Sequence, residues 1–118
     1  MPKELSCRTA ATFAAVVLLA AVSMLTARAA DELNDHSVQA QIDHGKATYA
    51  QKCSHCHGPN LMNSGTVTPD LRTFPDDKPR FVTTVKQGKN NKMPPWGDIL
   101  SEDEIADLWA YVASRRRP

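Results

Sequence analysis

Cys53-Ser54-His55-Cys56-His57 is the stretch of this 118-residue chain on which every other reading depends. Two cysteines three apart, followed at once by a histidine, form the attachment pattern of a c-type haem. On a helical turn, residues three and four apart share a face, so Cys53, Cys56 and His57 can all meet one flat ligand. Each thiol can then form a thioether with a haem vinyl group, and the His57 imidazole reaches the iron from the same side. Two other chemistries use the same residue types. A thiol–disulfide motif would need only Cys53 and Cys56, but it belongs in a βαβ setting, and no alternation of strands and helices is legible here. A zinc site needs four ligands placed to close a tetrahedron. Cys53, His55, Cys56 and His57 are too crowded for that, and no second Cys/His pair follows.

Upstream, residues 1–29 read as an export signal. Lys3 and Arg8 give a positive start, Ala10 to Leu25 is almost wholly apolar, and Ala27-Arg28-Ala29 offers a small-x-small cleavage site. The apolar run is short for a membrane span. Cys7 precedes the run, which argues against a lipoprotein site. The expectation is a cleaved leader, residues 1–29, and a single domain over residues 30–118, located in the periplasm. Removal of the leader takes Cys7 with it and leaves Cys53 and Cys56 as the remaining cysteines. The formal charge moves from +1 for the whole chain to −1 for residues 30–118, which hold 11 basic and 12 acidic side chains. That balance argues against nucleic acid as a partner.

Within residues 30–118, Ala30 to His36 reads as a mobile lead-in. A helix is expected from about Ser37, with Val38, Ile42, Gly45 and Tyr49 as its apolar stripe. A glycine in a buried stripe weakens a helix and marks a place where another backbone comes close. Gly58-Pro59 should stop the segment. Pro59 to Asp77 reads as an irregular loop around a ligand. A short helix should carry Phe81, Val82 and Val85, with Pro79 in its first turn and Gly88 at its end. The last helix is the best marked. Ser101 and Glu104 form a capping box, and Leu100 and Ile105 a hydrophobic staple. Glu102 to Glu104 suit its start and Arg115 to Arg117 its end, while Ile105, Leu108, Trp109 and Val112 form the buried stripe with Tyr111 beside it.

These residues together resemble the class I cytochrome c family over essentially all of residues 30–118. The match rests on Gly45 and Tyr49, Cys53 to His57, Pro69 to Leu71, Met93-Pro94, and Leu108 with Tyr111. The resemblance implies a small all-α fold, with the first and last helices crossing and loops wrapped around one haem c held through Cys53 and Cys56. It also implies His57 and a methionine as axial ligands. Met93, with its Met-Pro setting before the last helix, is the candidate; Met62 is read as a core filler, and His36 and His44 as unused. By the same resemblance the Pro69 carbonyl would accept the second imidazole N–H of His57. Leu71, Phe81, Trp96 and Leu108 would wall the pocket. His55 is expected to face solvent or the haem edge.

A narrower resemblance runs through Gly58-Pro59-Asn60, Gly65-Thr66-Val67, Asp70-Leu71-Arg72, Met93 to Ser101 and Leu108 to Val112. It is to periplasmic cytochromes that accept electrons from PQQ-dependent alcohol and methanol dehydrogenases. It implies a monomeric one-electron carrier, with such a dehydrogenase as donor and another cytochrome or a terminal oxidase as acceptor. No acid–base or nucleophilic constellation outside the haem motif suggests an enzyme. The contrasting readings are an open-site haem enzyme or gas sensor, which requires Met93 off the iron, and the thiol oxidoreductase. Lys86, Lys89 and Lys92, close to Met93 in sequence, could steer an acidic partner. A domain of this size has difficulty burying enough apolar surface unaided. Haem-free protein should therefore lack a cooperative thermal transition; a sharp, native-like melt of haem-free material would overturn the expectation.

Overall fold

The computed structural model describes residues 6–63 and 68–117, with side chains from Met24 onward except that of Leu25. Gly65-Thr66-Val67, Lys3 and the side chains of Cys7 and most of the apolar run lie outside the described residues. The elements in order are α1 (Ser6–Lys52), α2 (Ser54–His57), a 3-10 turn (Leu71–Thr73), α3 (Lys78–Gln87) and α4 (Glu102–Ser114). One isolated antiparallel bridge joins Lys89 and Met93. Among the described residues there is no strand, so the expected all-α class holds. Contacts divide the chain into two units, Met1–His36 and Ser37–Pro118.

The first unit is helical, with every described side chain exposed. Ala30 to His36 is thus not an irregular lead-in: α1 continues through it. The physical reason is the absence of any glycine or proline from Lys3 to His44, together with many alanines and leucines. Among the described residues no helix is long and apolar enough to cross a membrane.

The second unit holds the core: Tyr49, Leu61, Phe81, Val85, Leu100, Ile105, Leu108, Tyr111 and Val112. The α1 stripe is shorter than its pattern, since Val38 is exposed and burial is complete only at Gly45 and Tyr49. Gly45 is where α1 meets α4. A Cβ there would lie 1.9 Å from the Asp107 carbonyl oxygen and 3.0 Å from the Leu108 nitrogen. Any side chain larger than hydrogen would drive the helices apart. One turn on, the rings of Tyr49 and Tyr111 lie 5.5 Å apart and tilted by 53°, an aromatic pair that closes the crossing.

α4 starts as its sequence dictates. The Glu104 N–H donates to Ser101 Oγ (3.2 Å), and the Ser101 N–H donates to Glu104 Oε2 (2.8 Å), a reciprocal cap of the kind worth about 1 kcal/mol. Leu100 and Ile105 are both buried in the core. Tyr111 takes the stripe position expected of Trp109, because 105, 108, 111 and 112 share one face at helical spacing. Trp109 is half-buried beside it, edge-on to Phe74 and tilted against Phe81. The three terminal arginines do not complement the last turn from within it; α4 ends at Ser114 and Arg115 is its C-cap.

α3 opens on Asp77, whose side chain accepts the Arg80 N–H at 3.0 Å, and closes where the Gly88 N–H reaches the Thr84 carbonyl. Between α2 and α3 the chain is pinned by the 3-10 turn. Asp70 Oδ1 accepts the backbone N–H of Arg72 (2.9 Å), and its carboxylate takes the Arg72 guanidinium as a fork, Nε at 2.9 Å and Nη2 at 2.5 Å. That fork holds the Asp70 carboxyl at about 2, well below its ordinary 3.8.

Two predictions follow from this packing. Gly45→Ala should cost about 1–3 kcal/mol in denaturant unfolding, the range for overpacking; an unchanged midpoint would mean the helices do not cross there. Because the folded pKa of Asp70 is depressed, its contribution is present above pH 3.8 and fades as pH falls through about 2. Asp70→Asn should therefore lower stability at neutral pH and flatten the acid limb of the unfolding profile, which pH-dependent melts would read directly.

Candidate haem site

The end of α1 delivers the motif. The Cys53 N–H donates to the Tyr49 carbonyl (2.9 Å), and Cys53 then serves as N-cap of α2. The N–H groups of Cys56 and His57 both donate back to the Cys53 carbonyl, at 3.2 and 2.9 Å. Cys53, Cys56 and His57 therefore lie on one helical turn. Gly58 closes it with φ +79°, and a Cβ there would stand 2.0 Å from the Met62 carbonyl oxygen. No residue but glycine fits this exit. Two side chains brace the turn. The Tyr49 hydroxyl donates to the Gly58 carbonyl at 2.6 Å, and Asn63 Nδ2 donates to the Cys56 carbonyl at 2.7 Å.

Burial is graded along the motif. Cys53 is half-buried and packs against the core, Cys56 is exposed, and His57 is half-buried. Neither Cys53 nor Cys56 is in a disulfide. Burial, and then the neighbouring Cys56, push the Cys53 thiol up to about 11. Exchange-active thiols are depressed instead, the opposite direction to that of Cys53. Burial lowers the His57 pKa, which keeps the imidazole neutral, the form that binds metal. His57 Nδ1 is buried without a hydrogen-bond partner. The anticipated bond to the Pro69 carbonyl is thus not formed, and Pro69 itself is exposed. A buried, unpartnered nitrogen costs about 1–3 kcal/mol and marks the side of the ring where a partner belongs.

The remaining candidates border the same core. Leu71, Met93 and Trp96 are half-buried and packed against it, as are Ile42, Phe74, Val82 and Trp109. Phe81 and Leu108 lie fully within it. Met93 is fixed by reciprocal backbone bonds with Lys89, 3.0 Å each way, across a turn in which Asn90 and Asn91 have left-handed φ. The Trp96 N–H donates to the Val85 carbonyl at 3.0 Å, tying the same loop to α3.

Met62 is not a core filler. It is 48% exposed, and its sulfur receives Arg72 Nη2 at 2.8 Å. The buried residue is its neighbour Leu61, which adopts φ +64° and accepts the Leu71 N–H at 2.9 Å. Nothing in the sequence announces this, because leucine has no preference for that conformation. His55 and His44 are exposed, His44 Nδ1 standing 3.7 Å from the Asp107 carboxylate. Lys86 is engaged by Glu102, while Lys89 and Lys92 are exposed.

Among the described residues no cluster of three or more His, Cys, Asp or Glu side chains could cage a bare metal ion. The donor set suits a flat, covalently held group better: two free thiols and one neutral imidazole on one turn, with thioether-bearing Met93 and half-buried apolar side chains around the same core. The residues present fit a haem c.

Comparison with known proteins agrees. Residues 40–112 match the family described as "Cytochrome C oxidase, cbb3-type, subunit III". The chain is 38% identical over 78 residues to quinohemoprotein alcohol dehydrogenase ADH IIB of Pseudomonas putida, covering 64% of this chain and 11% of the dehydrogenase. It is 39% identical over 83 residues to cytochrome c55X of Pseudomonas aeruginosa, covering 67% of this chain and 66% of that one. To cytochrome c6 of Chlorolobion braunii it is 35% identical over 80 residues, covering 63% of this chain and 90% of the relative. No solved structure matches. The chain belongs to the cbb3-type cytochrome c oxidase subunit III family of class I c-type cytochrome domains.

Proposed function

We propose that this protein is an exported, periplasmic one-electron carrier of one haem c, which Cys53 and Cys56 would attach and His57 and Met93 would ligate. The observation that carries the reading is the single turn bearing Cys53, Cys56 and His57, set at the edge of a core whose bordering side chains include Met93. When bound, the haem would supply a one-electron couple, and ligation by both His57 and Met93 would raise its potential and disfavour binding of oxygen or peroxide.

The chain's own residues do the rest. Cys53, half-buried, and Cys56, exposed, would each anchor the group through a thioether. The Tyr49–Gly58 and Asn63–Cys56 hydrogen bonds fix the turn so that His57 presents a constant direction. Leu71, Trp96 and Phe74 exclude water from one side while leaving part of their surface open. The Lys89–Met93 backbone pair holds the methionine loop in a fixed frame, so little need move when the charge changes. Ligated by both His57 and Met93, the haem would offer no open position to a substrate, and the reading is a carrier and not an enzyme.

The partial likeness to a quinohemoprotein alcohol dehydrogenase supports a PQQ-dependent dehydrogenase as donor, and the oxidase-subunit family supports a terminal oxidase or another cytochrome as acceptor. Residues 1–29 serve as the cleaved export signal, with residues 30–118 as the working domain. Of the three lysines considered for steering, Lys89 and Lys92 are available; Lys86 is neutralised by Glu102.

The test is spectroscopic. Oxidised protein matured with haem should show the weak far-red sulfur-to-iron band, and reduced protein at neutral pH should not bind carbon monoxide. Met93→Ala should lose the band and bind carbon monoxide. A wild-type protein without the band, or a variant indistinguishable from it, would remove Met93 from the iron.

A further inference from the structure

On the side of the second unit formed by the 3-10 turn and the chain beyond α4 lies a cavity of about 300 Å³, lined by Asn60, Arg72, Arg115 and Arg117. None of these four residues is among those assigned to the proposed haem site. Its walls are held by the backbone: the Arg117 N–H donates to the Arg72 carbonyl at 2.8 Å, and the Arg115 N–H to the Val112 carbonyl at 3.2 Å. Of the three consecutive arginines, the first and third line the cavity. The second turns away, with its guanidinium 4.8 Å over the Trp109 ring and Nη1 2.9 Å from Asp76. Arg116 thus does the packing, and Arg115 and Arg117 are left for the cavity.

The charge there is one-sided. Three arginines line it and no acidic residue does, while Arg72 also engages the Asp70 carboxylate in a fork. The carbonyl end of α4 carries about half a negative charge, which offsets only part of the excess. The low pKa of Asp70 reflects the Arg72 fork first and the positive field of Arg117 as well. Guanidinium forks match the spacing of phosphate and carboxylate oxygens, and an excess of positive charge favours a multiply charged anion. The Asn60 amide adds a neutral group that can donate or accept. The volume sits at the lower limit of small-molecule pockets, suited to a phosphate or pyrophosphate and too small for a nucleotide cofactor.

We propose that the cavity bounded by Asn60, Arg72, Arg115 and Arg117 is a binding site for a phosphate-class oxyanion, either free in solution or borne on a lipid headgroup. The haem-loaded protein would be titrated with inorganic phosphate and pyrophosphate at constant ionic strength, followed by calorimetry and by amide shifts. Saturable one-site binding is expected, with shifts at Arg72, Arg115 and Arg117. The double change Arg115→Ala with Arg117→Ala should weaken it by about tenfold or more, as loss of charge-assisted hydrogen bonds requires. Lys46→Ala, which removes an exposed cation from α1, should leave affinity unchanged. Arg117→Lys, keeping charge but losing the fork, should fall between, and it decides the matter if the double variant fails to fold. In parallel, retention on vesicles containing phosphatidic acid, lost in the double variant, would assign the headgroup as the source; saturation by inorganic phosphate alone would assign the free anion. Linear, unsaturated responses to both, or equal weakening by Lys46→Ala, would overturn the site.

Discussion

The contact on which the second unit depends is the bare backbone approach of α1 to α4 at Gly45. With no side chain there, the Asp107 carbonyl sits where a Cβ would otherwise be. That closeness lets Tyr49 and Tyr111 meet one turn further along. Tyr49 then transmits the crossing to the haem motif in two ways. Its carbonyl receives the Cys53 N–H, and its hydroxyl donates to the Gly58 carbonyl on the far side of the turn. The hydroxyl is itself held protonated, since burial first and nearby Cys53 and Tyr111 next all raise its pKa. A protonated phenol is an obligate donor here, so the brace persists across the physiological range.

Much of this frame is legible in the residues. Capping chemistry is local, and Ser101 with Glu104, Pro79, and Gly58 and Gly88 each mark where a helix begins or ends. Gly45 is legible because a glycine inside an apolar stripe has a cost that needs a reason. What escaped is what depends on distant partners. Tyr111 displaces Trp109 from the buried face because the face is chosen by what α4 packs against, and Arg116 then covers the exposed indole. Leu61 is buried in a left-handed conformation that no propensity favours, whereas Met62 beside it is exposed to meet Arg72. The continuation of α1 through residues 30–36 is local, but it was masked by polarity: charged residues read as loop unless the missing glycine and proline are weighed against them.

At the candidate site the division is similar. The turn geometry of Cys53, Cys56 and His57 follows from their spacing alone. The half-buried ring of Leu71, Met93 and Trp96 does not; it comes from loops whose course is set by backbone bonds to α3 and to Leu61. The Asp70–Arg72 pair links these loops to the chain end, because Arg72 also accepts the Arg117 N–H through its carbonyl. One short turn thus supplies Leu71 to the border of the core and Arg72 to the lining of the arginine-lined cavity.

The balance of buried and half-buried side chains gives the strongest physical reason to expect a prosthetic group. Nine apolar side chains form the core among the described residues, and eight more lie against it still partly open to water. Burying a large apolar side chain completely is worth about 1.5–3 kcal/mol, so a small domain that leaves so many only partly covered forgoes stability it can ill spare. A flat apolar group seated against Cys53, Leu71, Met93 and Trp96 would complete their burial. Attachment through two cysteines would then make that completion irreversible. Fold and cofactor would be one equilibrium: the same burial that keeps the electron-carrying group in place would keep the helices crossed at Gly45.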